Sequence, residues 1–183
     1  MFAAAPSGEP AGWRGGFLGM THRDDMGRVW DIIEQVGVGM LTTGFSGGLR
    51  ARPIEPRVDR DAGLIRIVTD ARGLKDDEIG RNPDIALTVI SPSDKAYLSI
   101  TGRAVVIRDR AVAARIWHRS DDVWWPGGPD DANVRVIVLT PSRAELWDGP
   151  SSSAVAAFEM AKARMTGEQP NLGENRKKTV KLR

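Results

Sequence analysis

The chain has 183 residues, 41% hydrophobic and 27% charged, the balance of a globular domain rather than of a disordered or fibrous chain. One domain of this length buries roughly 70% of its unfolded surface, and the absence of cysteine excludes disulfides, thiolate metal sites, iron–sulfur clusters and cysteine nucleophiles. Net charge is +2, from 26 basic and 24 acidic residues, and its basic excess is concentrated after Glu168. No stretch has the apolar length of a membrane-spanning helix, and the lack of cysteine fits a cytoplasmic location.

Residues 1–20 are rich in Ala, Pro and Gly without a basic start and read as a loose leader. They precede a single domain over 21–166 and a basic tail over 167–183. Thr21 and Asp24 suit the start of a helix in which Met26, Val29, Trp30 and Ile33 recur at helical spacing, and Gly37 ends it. Val38 to Thr43 reads as a strand, Phe45-Ser46-Gly47-Gly48 as a tight reversal, and Leu49 to Val58 as the returning strand. Pro53 and Pro56 cannot donate ladder hydrogen bonds, so that strand is expected to be an edge, bulged or broken.

Leu64 to Thr69 continues as strand, and Leu74 to Gly80 as a short helix stopped by Asn82-Pro83. Strands follow at Ile85 to Ile90 and Ala96 to Ile107, with Gly102 marking a bulge or corner. A helix is expected over Ala111 to Arg119, a loop over Ser120 to Asn133, two strands at Val134 to Leu139 and Arg143 to Trp147, and a last helix from Ser152 to Met165. The tail reads as a solvated end, or as a final short strand at Thr179 to Leu182. The fold class is therefore mainly β: a six- to seven-stranded antiparallel barrel with helices capping its rims.

Familiar catalytic sets are missing. His22 and His118 stand apart and neither has a second ligand at helical spacing, so no metal site is expected. The acidic pairs Asp24-Asp25, Asp76-Asp77, Asp121-Asp122 and Asp130-Asp131 read as solvated charge. There is no nucleophile elbow and no glycine-rich nucleotide fingerprint, so no catalytic residue is assigned and any reactive group is expected to be a cofactor's. A handful of charges in the tail supports no specific nucleic-acid binding.

One stretch gathers the means to hold a phosphate. A strand ends at Thr69, a turn containing Gly73 follows, and Lys75 lies in the first turn of the next helix, so a hydroxyl, free backbone N–H groups and an ammonium converge. Arg52, one hairpin earlier, can reach the same anion.

The series Ala51-Arg52-Pro53, Ile67-Val68-Thr69, Lys75, Asn82-Pro83, Gly102 and Pro141 to Gly149 resembles the FMN-binding split-barrel superfamily of pyridoxamine 5′-phosphate oxidase-like proteins. It is most similar to the bacterial general stress protein branch, as is the aromatic loop Trp124 to Asp131. The resemblance implies that Arg52 and Lys75 bind the FMN phosphate beside Thr69 and the Asp70 backbone, and that Pro53, Ile54 and Val68 lie along the flavin ring. It implies a homodimer with the flavin at the subunit interface, to which Tyr97, Ser99 and Trp147 contribute from the partner chain, with Trp125 as a further ring neighbour.

Two departures from the family pattern bear on function. Leu74-Lys75 stands where true oxidases have Arg-Lys, and Ser151 to Val155 where they have a substrate-gripping Arg-Leu-His-Asp-Arg type segment. The resemblance thus implies a flavoprotein oxidoreductase of unknown substrate rather than a pyridoxamine phosphate oxidase. A non-catalytic carrier or sensor of flavin, or of deazaflavin or haem, is the alternative.

Overall fold

The computed structural model describes residues 22–148, 162–165, 167 and 176–181. The leader, the capping side chains Thr21 and Asp24, and the start of the last expected helix lie outside them; residues 162–165 are helical.

Helix α1 (His22–Val36) comes first, then strands β1 (Gly39–Phe45), β2 (Gly48–Ile54), β3 (Arg57–Asp59) and β4 (Leu64–Asp70). Helix α2 (Lys75–Arg81) leads to β5 (Asp84–Ser91) and β6 (Ala96–Ile107), then α3 (Arg110–Ile116), two 3-10 turns (Arg119–Val123 and Gly128–Asp130), β7 (Val134–Asp148) and β8 (Arg176–Lys181).

All strand pairs are antiparallel and follow the order β2-β1-β5-β6-β7-β4-β3, with β8 added beside β7. β2 and β3 stand at opposite ends of that path, yet only Glu55 and Pro56 separate them in the chain. The sheet must therefore curl until its two ends nearly meet, which makes it a split barrel and not a closed one. The prolines act as expected: Pro53 lies on an edge strand and Pro56 in the break after it.

Alternation decides which side of each strand faces inward. Ile65 and Ile67 of β4, Leu87 and Val89 of β5, and Leu98 and Ile100 of β6 fill the interior. Val29, Trp30, Ile32 and Ile33, on one face of α1, join the same core. A smaller core lies apart, where Ala113, Trp125, Val134 and Val136 pack with Val68, Ile107 and Trp117.

Four expectations need correction. The two strands read between Val134 and Trp147 are one strand, β7, because Pro141 sits at a bulge opposite Gly102 instead of ending the ladder. The segment expected as loop after Ser120 contains the two 3-10 turns. The tail pairs with β7 as β8 and buries Val180, so a solvated end is overturned over Arg176–Lys181. Asp121 is buried, not solvated, because Arg57 neutralises it.

Candidate functional site

A cavity of about 450 Å³ opens where the end of β2, the end of β4 and the aromatic loop meet. Of the residues expected at a cofactor site, Pro53, Ile54, Val68, Thr69, Asp70, Lys75 and Trp125 all line it. A larger cavity, about 550 Å³, lies between the β1–β2 turn and α2, walled by Phe45, Leu49, Arg50 and Leu74. None of the expected residues lines it, so the smaller cavity is the candidate site.

Local structure explains the gathering. Asp70 closes the turn after β4 by accepting hydrogen bonds from the backbone N–H of Arg72 (2.7 Å) and from its guanidinium. The Arg72 hydrogen bond, with its charge, holds the Asp70 carboxyl down at about 2. Trp125 Nε1 faces the same carboxylate closely enough to lower it further, without an ordinary hydrogen-bond geometry. The turn then delivers Lys75, whose ammonium folds back so closely that a side-chain carbon at Gly73 would lie 3.1 Å from Nζ. Burial, and secondly the Arg52 charge, push the Lys75 pKa below the ordinary lysine value.

Arg52 is otherwise engaged. Its Nη2 donates to Glu78 Oε2 at 2.5 Å and its Nη1 to Thr43 Oγ1 at 2.9 Å. Glu78 also accepts from the Thr43 hydroxyl (2.6 Å) and from Arg50 Nη1 (2.6 Å). Burial alone would raise the Glu78 carboxyl, but the hydrogen bonds from Thr43 and Arg52, with the charges of Arg52 and Arg50, keep it below its ordinary value. Arg52 therefore stands behind the cavity, close enough to act on Lys75 but facing α2.

Arg57 closes the opposite wall. Its buried guanidinium donates to Asp121 Oδ1 (2.6 Å) and to the Ile116 carbonyl (2.8 Å), tying β3 to the aromatic loop. Asp121 Oδ2 accepts from the His118 backbone N–H at 2.9 Å. Sequence reading missed Glu78, Arg57 and Trp124. One acid among three in succession on a short polar helix (Asp76, Asp77, Glu78) and an arginine beside a proline carry no periodic signal, and of two adjacent tryptophans nothing in the sequence says which turns inward. Trp125 does, packing in the second core with its ring centroid 6.0 Å from that of Trp117, and Trp124 stays at the cavity rim.

Tyr97, Ser99 and Trp147 do not line the cavity, but the strand register relates them to it. Pro53 faces Met40, Met40 faces Thr88, Thr88 faces Ser99 and Ser99 faces Glu145, one row across the outer face of the sheet. Ile90, Tyr97 and Trp147 form the next row on the same face. Met40, Ile90 and Tyr97 are exposed large apolar residues there, with Val38 just before β1 at the cavity wall.

Residues 24–171 match the family described as pyridoxamine 5′-phosphate oxidase like. The chain belongs to this family. No curated protein matches the sequence. Among solved structures, a candidate general stress protein 26 from Jannaschia sp. CCS1 is 27% identical with a TM-score of 0.68, covering 87% of this chain and 99% of that one. The general stress FMN/FAD binding protein of Xanthomonas citri is 23% identical with a TM-score of 0.62, over 72% of this chain and 92% of its own. An FMN binding protein from Nostoc punctiforme, described as pyridoxamine 5′-phosphate oxidase-related, shares the fold at 16% identity and a TM-score of 0.59, over 73% of this chain and 86% of its own.

Proposed function

We propose that this chain is a homodimeric flavoprotein that binds FMN in the cavity beside Lys75 and serves two-electron redox chemistry on a small molecule. The observation that carries the reading is the convergence of Pro53, Ile54, Val68, Thr69 and Lys75 on one cavity. The donor set fits the group: apolar strand residues at one side suit a planar ring, and a buried hydroxyl with a half-buried ammonium suits a phosphate. Flavin, when bound, supplies the electron-transfer chemistry that no side chain here can.

The protein's own part is binding and orientation. Lys75 donates to the phosphate, Thr69 adds a hydroxyl, and Arg52, held by Glu78, contributes positive potential from behind. The exposed apolar rows around Met40, Ile90 and Tyr97 are the surface for a second copy, and packing there would bring the partner's outer face against the mouth of the cavity.

A binding module without turnover is the second reading. It is favoured by the pairing of each carboxylate lining the cavity with an arginine: Glu55 and Asp121 with Arg57, and Asp70 with Arg72. None of these stands ready as a general acid or base.

Release of about one FMN per chain on denaturing the purified protein is the outcome expected of the flavin reading. Replacing Arg52 and Lys75 together by alanine should abolish retention, and unchanged retention would sink the phosphate seat. Reduction of the bound flavin by a nicotinamide donor, followed by turnover with an acceptor, would separate the redox reading from the carrier reading.

A further inference from the structure

Trp124 is 73% exposed, lines the cavity and lies beside Val123, which is 80% exposed. Its position is nevertheless fixed from several sides. The backbone N–H groups of Trp124 and Trp125 both donate to the Asp121 carbonyl, at 2.9 and 3.0 Å, and the Asp121 carboxylate is held by Arg57. Trp117 Nε1 donates to Asp122 at 2.9 Å, and the Gly128 N–H closes the far side of the turn on the Trp125 carbonyl at 2.8 Å. Trp125 anchors the loop in the second core. The loop thus presents a large aromatic face at the cavity mouth from a clamped base.

The surrounding charges limit what can lie on that face. Arg57 is matched by Asp121 and Glu55, and Arg72 by Asp70. Lys75 belongs to the deeper, phosphate-binding part of the cavity. A molecule entering at the rim therefore meets an indole face and no uncompensated charge.

We infer that Trp124 is the stacking platform for a second ligand, an uncharged planar ring system such as a quinone, bound at the cavity mouth beside the cofactor. The inference rests on the flavin reading in one respect: the deeper part of the cavity is the cofactor's. Aromatic stacking tolerates many ring systems because each offers a π-face, so Trp124 selects for planarity rather than for one molecule.

The test is equilibrium dialysis of the oxidised protein, as purified, against 2-methyl-1,4-naphthoquinone, with flavin content measured on the same samples. With both partners oxidised, the readout is binding and not turnover. The wild type should show one saturable site per chain. Trp124→Ala should weaken it by about tenfold or more at unchanged flavin content, and Trp124→Phe should stay close to the wild type. Equal affinity in wild type and Trp124→Ala, or no saturable binding by the wild type, overturns the inference. A wild type that holds no flavin even after reconstitution overturns the flavin reading instead, and the comparison of Trp124→Ala with wild type then decides the inference on the flavin-free protein.

Discussion

Two charged residues, both on α2, govern the candidate site in opposite ways. Lys75 must be protonated to hold a phosphate, and burial with the Arg52 charge lowers its pKa. Raising the pH through that lowered value removes the ammonium, so FMN affinity should fall on the alkaline side earlier than an ordinary lysine would allow. Titrating FMN binding by fluorescence from neutral pH to about pH 10 checks this, and Lys75→Arg, which does not titrate in that range, should flatten the profile. Glu78 is the counterweight. Its side chain is 5% exposed and accepts from Arg50, Arg52 and Thr43, so Glu78→Gln leaves two guanidinium groups without their anion. Arg50 is partly solvated, which places the cost at the lower end for a broken buried pair, about 3 kcal/mol. In thermal denaturation this corresponds to a drop of roughly 6–12 °C; an unchanged midpoint would show that water compensates the arginines.

Among the elements, β6 and β7 carry both the fold and its least forgiving position. A side-chain carbon at Gly102 would lie 2.3 Å from the Thr140 carbonyl oxygen and 2.8 Å from Pro141 Cα, both backbone atoms that cannot turn aside. Gly102→Ala should destabilise by about 2 kcal/mol or more, seen as a lowered midpoint in circular dichroism melts. The same place shows what the sequence could and could not reveal. The alternation of β6 is legible from Ala96 to Ile107, and Gly102 announces the bulge within it. Pro141-Ser142 across the ladder looks like a turn, because a proline's missing N–H is indistinguishable from a strand end until its partner strand is known. The turn that carries Thr69, Asp70 and Lys75 to one cavity was legible because its residues are sequence neighbours. The Glu78 cluster was not, since it joins α2 to β1 and β2 through side chains alone, and the aromatic loop's composition hid a clamp that depends on Arg57 from β3.

For the whole molecule, the exposed apolar rows of the outer face suggest association. Ile90 is 50% exposed and faces Tyr97 across the ladder, so Ile90→Lys places a charge in the middle of that surface without touching the cavity. The wild type should sediment as a dimer, and Ile90→Lys should shift it toward monomer and release flavin together; a wild-type monomer that holds flavin would refute the interfacial cofactor. The link at Glu55 and Pro56 has a consequence in time as well as in space. Hairpins β1–β2 and β3–β4 form from neighbouring sequence, but β1 must find β5, and β4 must find β7, across long stretches of chain. Whichever hairpin docks first carries the other to its own edge on a tether of two residues. The second long-range pairing then forms with most of its loop-closure entropy already lost, and the barrel should assemble in one kinetic step despite its high contact order.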